Sequence, residues 1–392
     1  MTTISLCSPH ISQHFPPSSS PMELKALTFK LVFFLIFSLT TSVQTDSKTQ
    51  EIKGMFVFGS SLVDNGNNNF LKNSRAKADY SPYGIDFPLG PSGRFSNGRN
   101  VIDVLGELLS LPCYIPPFAD PRTRRRRIVH GVNYASGGSG ILDETGELAG
   151  EVVSLSQQIR NFQNRTLPDF EAQLRARSKG RFSDDYLSDY LFVVGTGGND
   201  YLLNYFAPAK EKKPSLSQFT EVLMSKLTRQ LKKLYRHGAR KFVLFSIQPI
   251  GCIPVARANL QISNGSCIEA LNEAALLFNN LLKSQALSLK HKMPGSNLIF
   301  VNSYNIIRSI IDNPHAHGFS DASRGCCELS AHKGEGILCK RGGTTCSNRT
   351  SHVFFDGLHP TDAVNLRIAQ KAYSSSLLEE AYPTNPPGVS PV

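Results

Sequence analysis

MFVFGSSLVDNGNNN, running from Met55 to Asn69, decides how this chain is read. Met55 to Gly59 is an apolar run closed by glycine, the pattern of a strand buried on both faces. It breaks off at Ser60-Ser61, and the tract of Asn, Asp and Gly that follows can turn the backbone sharply. A serine at the carboxyl tip of a buried strand stands where an open α/β sheet sets its reactive groups. Far along the chain, Asp356-Gly357-Leu358-His359-Pro360 offers a histidine with a carboxylate three residues earlier. A serine hydroxyl is a poor nucleophile without such a base.

Four more apolar runs read as strands: Gly131–Ala135, Tyr190–Gly195, Lys241–Ile247 and Asn297–Asn302. Between the last three lie amphipathic helices. Leu223, Leu227, Leu231 and Leu234 share one face, and His237-Gly238 closes that helix. Leu271, Ala275, Phe278 and Leu282 line the next. Strands alternating with helices predict a three-layer α/β/α domain around a mostly parallel five-stranded sheet. Right-handed crossovers bring the carboxyl ends of all the strands to one edge.

Two more segments fall at that edge. Asn133-Tyr134-Ala135-Ser136-Gly137-Gly138-Ser139-Gly140 follows a strand with small residues whose N–H groups can approach a ligand closely. Gly195-Thr196-Gly197-Gly198-Asn199-Asp200 follows another, and the Asn199 amide can donate to a developing oxyanion. Taken alone, each segment is also an ordinary turn, and Asp-x-x-His-Pro also starts a helix, here from Asp362 to Ala372 behind Thr361. Their order and strand context are what point to a serine hydrolase.

Together with Gly93-Arg94-Phe95-Ser96-Asn97-Gly98-Arg99-Asn100 and Pro249-Ile250-Gly251-Cys252-Ile253-Pro254, these blocks resemble the plant GDSL esterase/lipases, a branch of the SGNH hydrolases. The resemblance runs from about Lys53 to Tyr382. It implies a flavodoxin-like α/β/α fold and a carboxylic-ester hydrolase working through an acyl-enzyme, without metal or cofactor. It casts Ser61 as nucleophile, His359 as base and Asp356 as its orienting partner. The N–H groups of Ser61 and Gly140 and the Asn199 amide are then the oxyanion donors. The Gly-x-Ser-x-Gly elbow of the other large α/β hydrolase family is absent. One departure stands out: Gly59-Ser60-Ser61-Leu62 replaces the family's Gly-Asp-Ser-Leu, removing a carboxylate beside the nucleophile. Leu62 and Val63-Asp64-Asn65-Gly66-Asn67 keep their register, and Ser60 on an extended strand faces away from Ser61. Because a histidine base acts only when neutral, activity is expected to fall below about pH 6. An acyltransferase passing the acyl group to a polymer hydroxyl, or a binding protein on a hydrolase scaffold, are the alternatives.

Residues 1–45 read as a secretory leader. Lys25 and Lys30 flank the apolar run Leu31 to Leu39, and small residues follow at Thr40 to Val43. That run is far shorter than the roughly 20 residues a membrane span needs, and Met22 is an alternative start. The hydrolase domain is then 46–382, followed by a Pro-rich tail at 383–392, and the destination the family implies is the apoplast or cell wall. Asn164, Asn264 and Asn348 head glycosylation sequons. With Cys7 lost in the leader, Cys326, Cys327, Cys339 and Cys346 crowd into a stapled loop rather than a zinc site, which lacks a Cys-x-x-Cys pair. Cys252 and Cys267 offer a local bridge, and the odd count leaves Cys113 as a free thiol. The net charge of +11 is concentrated in Arg122, Arg124, Arg125, Arg126 and Arg127. No nucleic-acid module accompanies them. They form a solvated loop or a surface for acidic cell-wall polysaccharide.

Overall fold

A computed structural model describes residues 51–177, 183, 185–207, 213–259, 266–331 and 336–383. The leader, Asn264 and nearly all of the Pro-rich tail lie outside them. Five parallel strands form the sheet: β1 (Gly54–Gly59), β2 (Gly131–Asn133), β3 (Tyr190–Gly195), β4 (Lys241–Phe245) and β5 (Asn297–Val301). All five coincide with the apolar runs of the sequence. A sixth strand was not expected. Two strands, β6 (Asp321–Gly325) and β7 (His352–Phe354), pair separately beneath the cysteine-rich loop, and β8 (Ala381–Tyr382) adds to β5 in the antiparallel sense. The main sheet therefore has six strands, in the order β2-β1-β3-β4-β5-β8. At two residues, β8 is too short to leave a periodic signal.

Side-chain parity sends alternate strand residues to opposite layers. Phe56, Phe58, Phe192, Val194, Phe242 and Leu244 face one core. It is covered by α2 (Leu155–Asn161), α3 (Leu167–Arg177), α4 (Leu216–Arg236) and α6 (Glu269–Lys292). Met55, Val57, Leu191, Val193, Val243 and Phe245 face the other. There α1 (Val101–Leu108), α7 (Ser303–Asp312) and α8 (Asp362–Ser374) pack, with the short α5 (Pro254–Asn259) at its margin. The four leucines predicted to line α4 are all buried. Thr361 precedes α8 as foreseen, but its hydroxyl donates to His352 O at 2.7 Å instead of capping the helix.

The register aligns Gly59 with Gly195, Gly195 with Phe245, and Phe245 with Val301, so four strands end level. From β1 the chain moves outward to β2, then returns across β1 to β3. Loops leaving the strands on either side of that reversal splay apart, and a crevice opens at their carboxyl ends. The Gly93–Asn100 block ties α8 to this edge. Arg99 N–H donates to Asp362 Oδ1 at 2.6 Å, its guanidinium grips the same carboxylate, and Asn97 Oδ1 accepts Asp362 N–H at 2.9 Å.

Three disulfides are Cys252–Cys267, Cys326–Cys346 and Cys327–Cys339. The stapled-loop reading holds. Cys113 does not match its expectation, because it is disulfide-bonded and no described cysteine is free. The odd count behind that expectation came from subtracting Cys7; the full chain carries eight cysteines, an even number. Among the described residues no helix is long and apolar enough to cross a membrane.

Candidate active site

Gly59 ends β1 with φ +146°, and a Cβ there would lie 2.1 Å from Gly195 O, so only glycine lets the two strands close this tightly. Ser60 N–H then donates to Gly195 O at 3.0 Å, and Ser61 begins a short 3₁₀ turn, Ser61–Val63. The Ser61 side chain is buried. Among the described residues its own N–H has no acceptor.

The Asn-rich tract is a scaffold for this turn. Asn67 Nδ2 donates to the carbonyls of Asn133 and Ala135, at 2.9 and 2.8 Å, and Asn68 Nδ2 to that of Gly137 at 2.8 Å. The buried Asp64 carboxylate accepts N–H groups from Gly66, Asn67 and Gly137. Desolvation raises it to about 6 even so. The first and second blocks are thereby one rigid unit.

His359 arrives from the other end of the chain. Its Nε2 lies 2.7 Å from Ser61 Oγ, and its Nδ1 lies 2.7 Å from Asp356 Oδ2. With Nδ1–H donating to the carboxylate, Nε2 is left to accept the serine proton. The turn itself fixes Asp356, whose Oδ1 accepts the N–H groups of Leu358 and His359 at 2.8 and 2.7 Å. Two side chains absent from the sequence-based set complete the grip. Tyr83 OH donates to Asp356 Oδ2 at 2.6 Å, and the Phe95 ring lies 4.9 Å from the imidazole, centroid to centroid. Phe95 stood in a quoted block without a role. Tyr83 is 273 residues from Asp356, and no local pattern marks it.

Asn199 sits beyond β3 with its Nδ2 donating to Ser139 O at 2.9 Å. Next to it, the buried Asp200 carboxylate accepts from Ile141 N–H, Leu142 N–H and Thr145 Oγ1 at 2.9, 3.0 and 2.8 Å. Desolvation raises it, too, to about 6. Asp200 therefore clamps the third block onto the second; an Asn-Asp pair in a turn gave no sign of this. Gly140 packs against that carboxylate and is absent from the wall of the crevice. The wall carries Gly138 instead, two residues earlier.

A cavity of about 380 Å³ opens at Ser61 and His359. Asn199 and Gly138 share its wall with apolar side chains, among them Ala76, Leu203, Val255, Ile337 and Leu338, and apart from His359 its one ionisable side chain among the described residues is Arg75. A smaller cavity of about 60 Å³ lies behind, lined by Ser60, Thr196 and Gln248. Ser61, Asn199, Leu202 and Leu358 line both. Ser60 thus faces the interior, away from the larger cavity.

This arrangement carries the parts for acyl transfer: a hydroxyl on a base, an orienting carboxylate, amide donors alongside and an apolar recess. The comparisons with known proteins agree. A model of the GDSL-like lipase/acylhydrolase family matches residues 55–372. Among Arabidopsis thaliana proteins named GDSL esterase/lipase, one is 42% identical over 90% of this chain and 91% of its own length. A second is 39% identical over 91% and 96%, and a third 40% identical over 90% and 94%. The chain belongs to the GDSL-like lipase/acylhydrolase family and is a carboxylic ester hydrolase.

Proposed function

We propose that Ser61 is the nucleophile, His359 its general base and Asp356 the group that orients the imidazole. The observation that carries this reading is the buried relay from Ser61 Oγ to His359 Nε2 and from Nδ1 to Asp356, each link 2.7 Å, at the floor of an apolar cavity. Ser61 Oγ bonds to the ester carbonyl carbon while its proton passes to His359. The negative oxygen is held by the Ser61 N–H, the Asn199 amide and the N–H of Gly138. We place Gly138 rather than Gly140 in this role because Gly138 lines the cavity. The carbon–oxygen bond to the alcohol breaks as His359 protonates the departing alkoxide. Water then attacks the acyl-enzyme, giving its proton to His359, and the acid leaves as Ser61 regains a proton.

The wall favours esters with an apolar acyl group, as in lipids or acylated wall and phenolic esters. We also read the protein as exported. Three disulfides fit an oxidising compartment. Asn164 and Asn348 are exposed and accessible to glycosylation. Arg124, Arg125 and Arg126 are exposed as well, which suits contact with acidic wall polysaccharide, whereas Arg122 is paired with Asp120.

The test treats wild type and Ser61→Ala with a fluorophosphonate probe, then assays both on nitrophenyl esters with and without an alcohol acceptor. Labelling and turnover confined to wild type are expected, with free acid as the product. Predominant transfer to the acceptor would make the enzyme an acyltransferase, and a folded wild type that does not label would sink the nucleophile assignment.

A further inference from the structure

We propose that Tyr83 is a positioning residue for this reaction: its hydroxyl shares Asp356 Oδ2 with the imidazole and sets how firmly the carboxylate holds the protonated base. The inference rests on the nucleophile and base assigned above.

The geometry separates the two carboxylate oxygens. Oδ1 accepts two backbone N–H groups of its own turn, and His359 Nδ1 lies 3.0 Å from it, farther than from Oδ2. On Oδ2, Tyr83 OH at 2.6 Å meets His359 Nδ1 at 2.7 Å. The phenol is held from behind, because its oxygen accepts the Cys339 N–H at 3.1 Å, and Cys339 is stapled to Cys327. Tyr80 OH donates to the carbonyl of the same cysteine at 2.8 Å. Phe95 and Phe355 pack edge-on against the Tyr83 ring. Tyr83 is fully buried and absent from the cavity wall, so its hydroxyl acts through Asp356 rather than on the substrate. Burial first, and then the neighbouring carboxylate, push its phenol well above the ordinary value, so it stays a donor throughout the working range.

The ionisable groups facing this oxygen are His359 and Tyr83. Tyr80 stands behind Tyr83, with the Arg341 guanidinium 3.8 Å over its ring. A donor on Oδ2 stabilises the bare carboxylate more than it stabilises the carboxylate already paired with an imidazolium. Without it, the Asp356–His359 pair takes up its proton at higher pH, a property of the pair as a unit.

The experiment measures kcat, KM and the pH dependence of kcat/KM for wild type and Tyr83→Phe, with thermal unfolding as the check on folding. Expected for Tyr83→Phe are an acid limb moved to higher pH, an unchanged KM, and a lower kcat, because a carboxylate no longer fixed by the phenol orients the imidazole less firmly. Placing 3-fluorotyrosine at position 83 strengthens the donor and should move the limb the other way. A folded Tyr83→Phe enzyme with wild-type kcat and an unmoved limb would overturn the proposal. If that variant does not fold, an unmoved limb in the fluorotyrosine protein overturns it alone. Turnover surviving in Ser61→Ala would instead defeat the underlying nucleophile assignment, so the two failures are distinguishable.

Discussion

The Asp200 carboxylate occupies the space in which any side chain on Gly140 would begin: a Cβ there would lie 2.6 Å from each of its oxygens. Real Cβ contacts do not come so close, and the carboxylate is pinned by three donors. Gly140→Ala should therefore cost about 1–3 kcal/mol of stability, as overpacking does. It should also lower kcat, because Asn199 precedes the displaced residue. Thermal unfolding and kcat together check this, and a variant with wild-type values of both would show that the clamp is slack.

Ser60 and Ser61 are neighbours with opposite fates. Ser60 lines the rear cavity and His359 contacts Ser61, so Ser60→Ala should keep fluorophosphonate labelling, whereas Ser61→Ala should lose it. Labelling that depends on Ser60 would reverse the assignment.

On the proposed mechanism, Asn199→Ala removes one oxyanion donor from a preorganised set. A loss of about 10²–10³ in kcat is expected, with far less effect on KM. A change in KM alone, read from saturation curves on a short-chain ester, would make Asn199 a binding residue instead.

The two buried carboxyls, Asp64 and Asp200, each sit at about 6, above their ordinary value of 3.8, because burial disfavours the charge. The folded chain thus binds protons that the unfolded chain releases between about pH 4 and 6. Their contribution to stability is present at the acid end of that window and is lost as pH rises through 6, up to about 3 kcal/mol for each. His237, lowered by desolvation, opposes this but is largely exposed. Unfolding temperature should be higher at pH 5 than at pH 7.5. A flat profile over that range would refute the assignment.

The apolar cavity predicts that kcat/KM rises with acyl length, by up to about fourfold for each buried methylene. Leu203→Trp should flatten that rise and spare acetate esters. The check is the ratio of kcat/KM for long and short nitrophenyl esters, and an unchanged ratio would place the acyl group elsewhere.

Five strands and the Asp356–His359 pair were legible because each rests on a local signal: an apolar run such as YLFVVG, or a carboxylate one turn from a histidine. Features built from distant partners were not. The strand Asp321–Gly325 is polar and half exposed, and it forms only because β7 lies beside it next to two disulfides. Tyr83 sits in a turn and finds its carboxylate through the tertiary fold. Gly138 and Gly140 look alike in sequence, and only the position of Asp200 separates the one lining the cavity from the one packed behind it.

Ser61 and His359 touch across 298 residues of chain. A ribosome making this protein therefore releases the proposed nucleophile first and the proposed base only once almost the whole sheet has been synthesised. On the proposed mechanism, a chain terminated before His359 lacks the complete machinery with which to attack esters of the cell producing it. Hydrolysis becomes a report that synthesis has run nearly to its end.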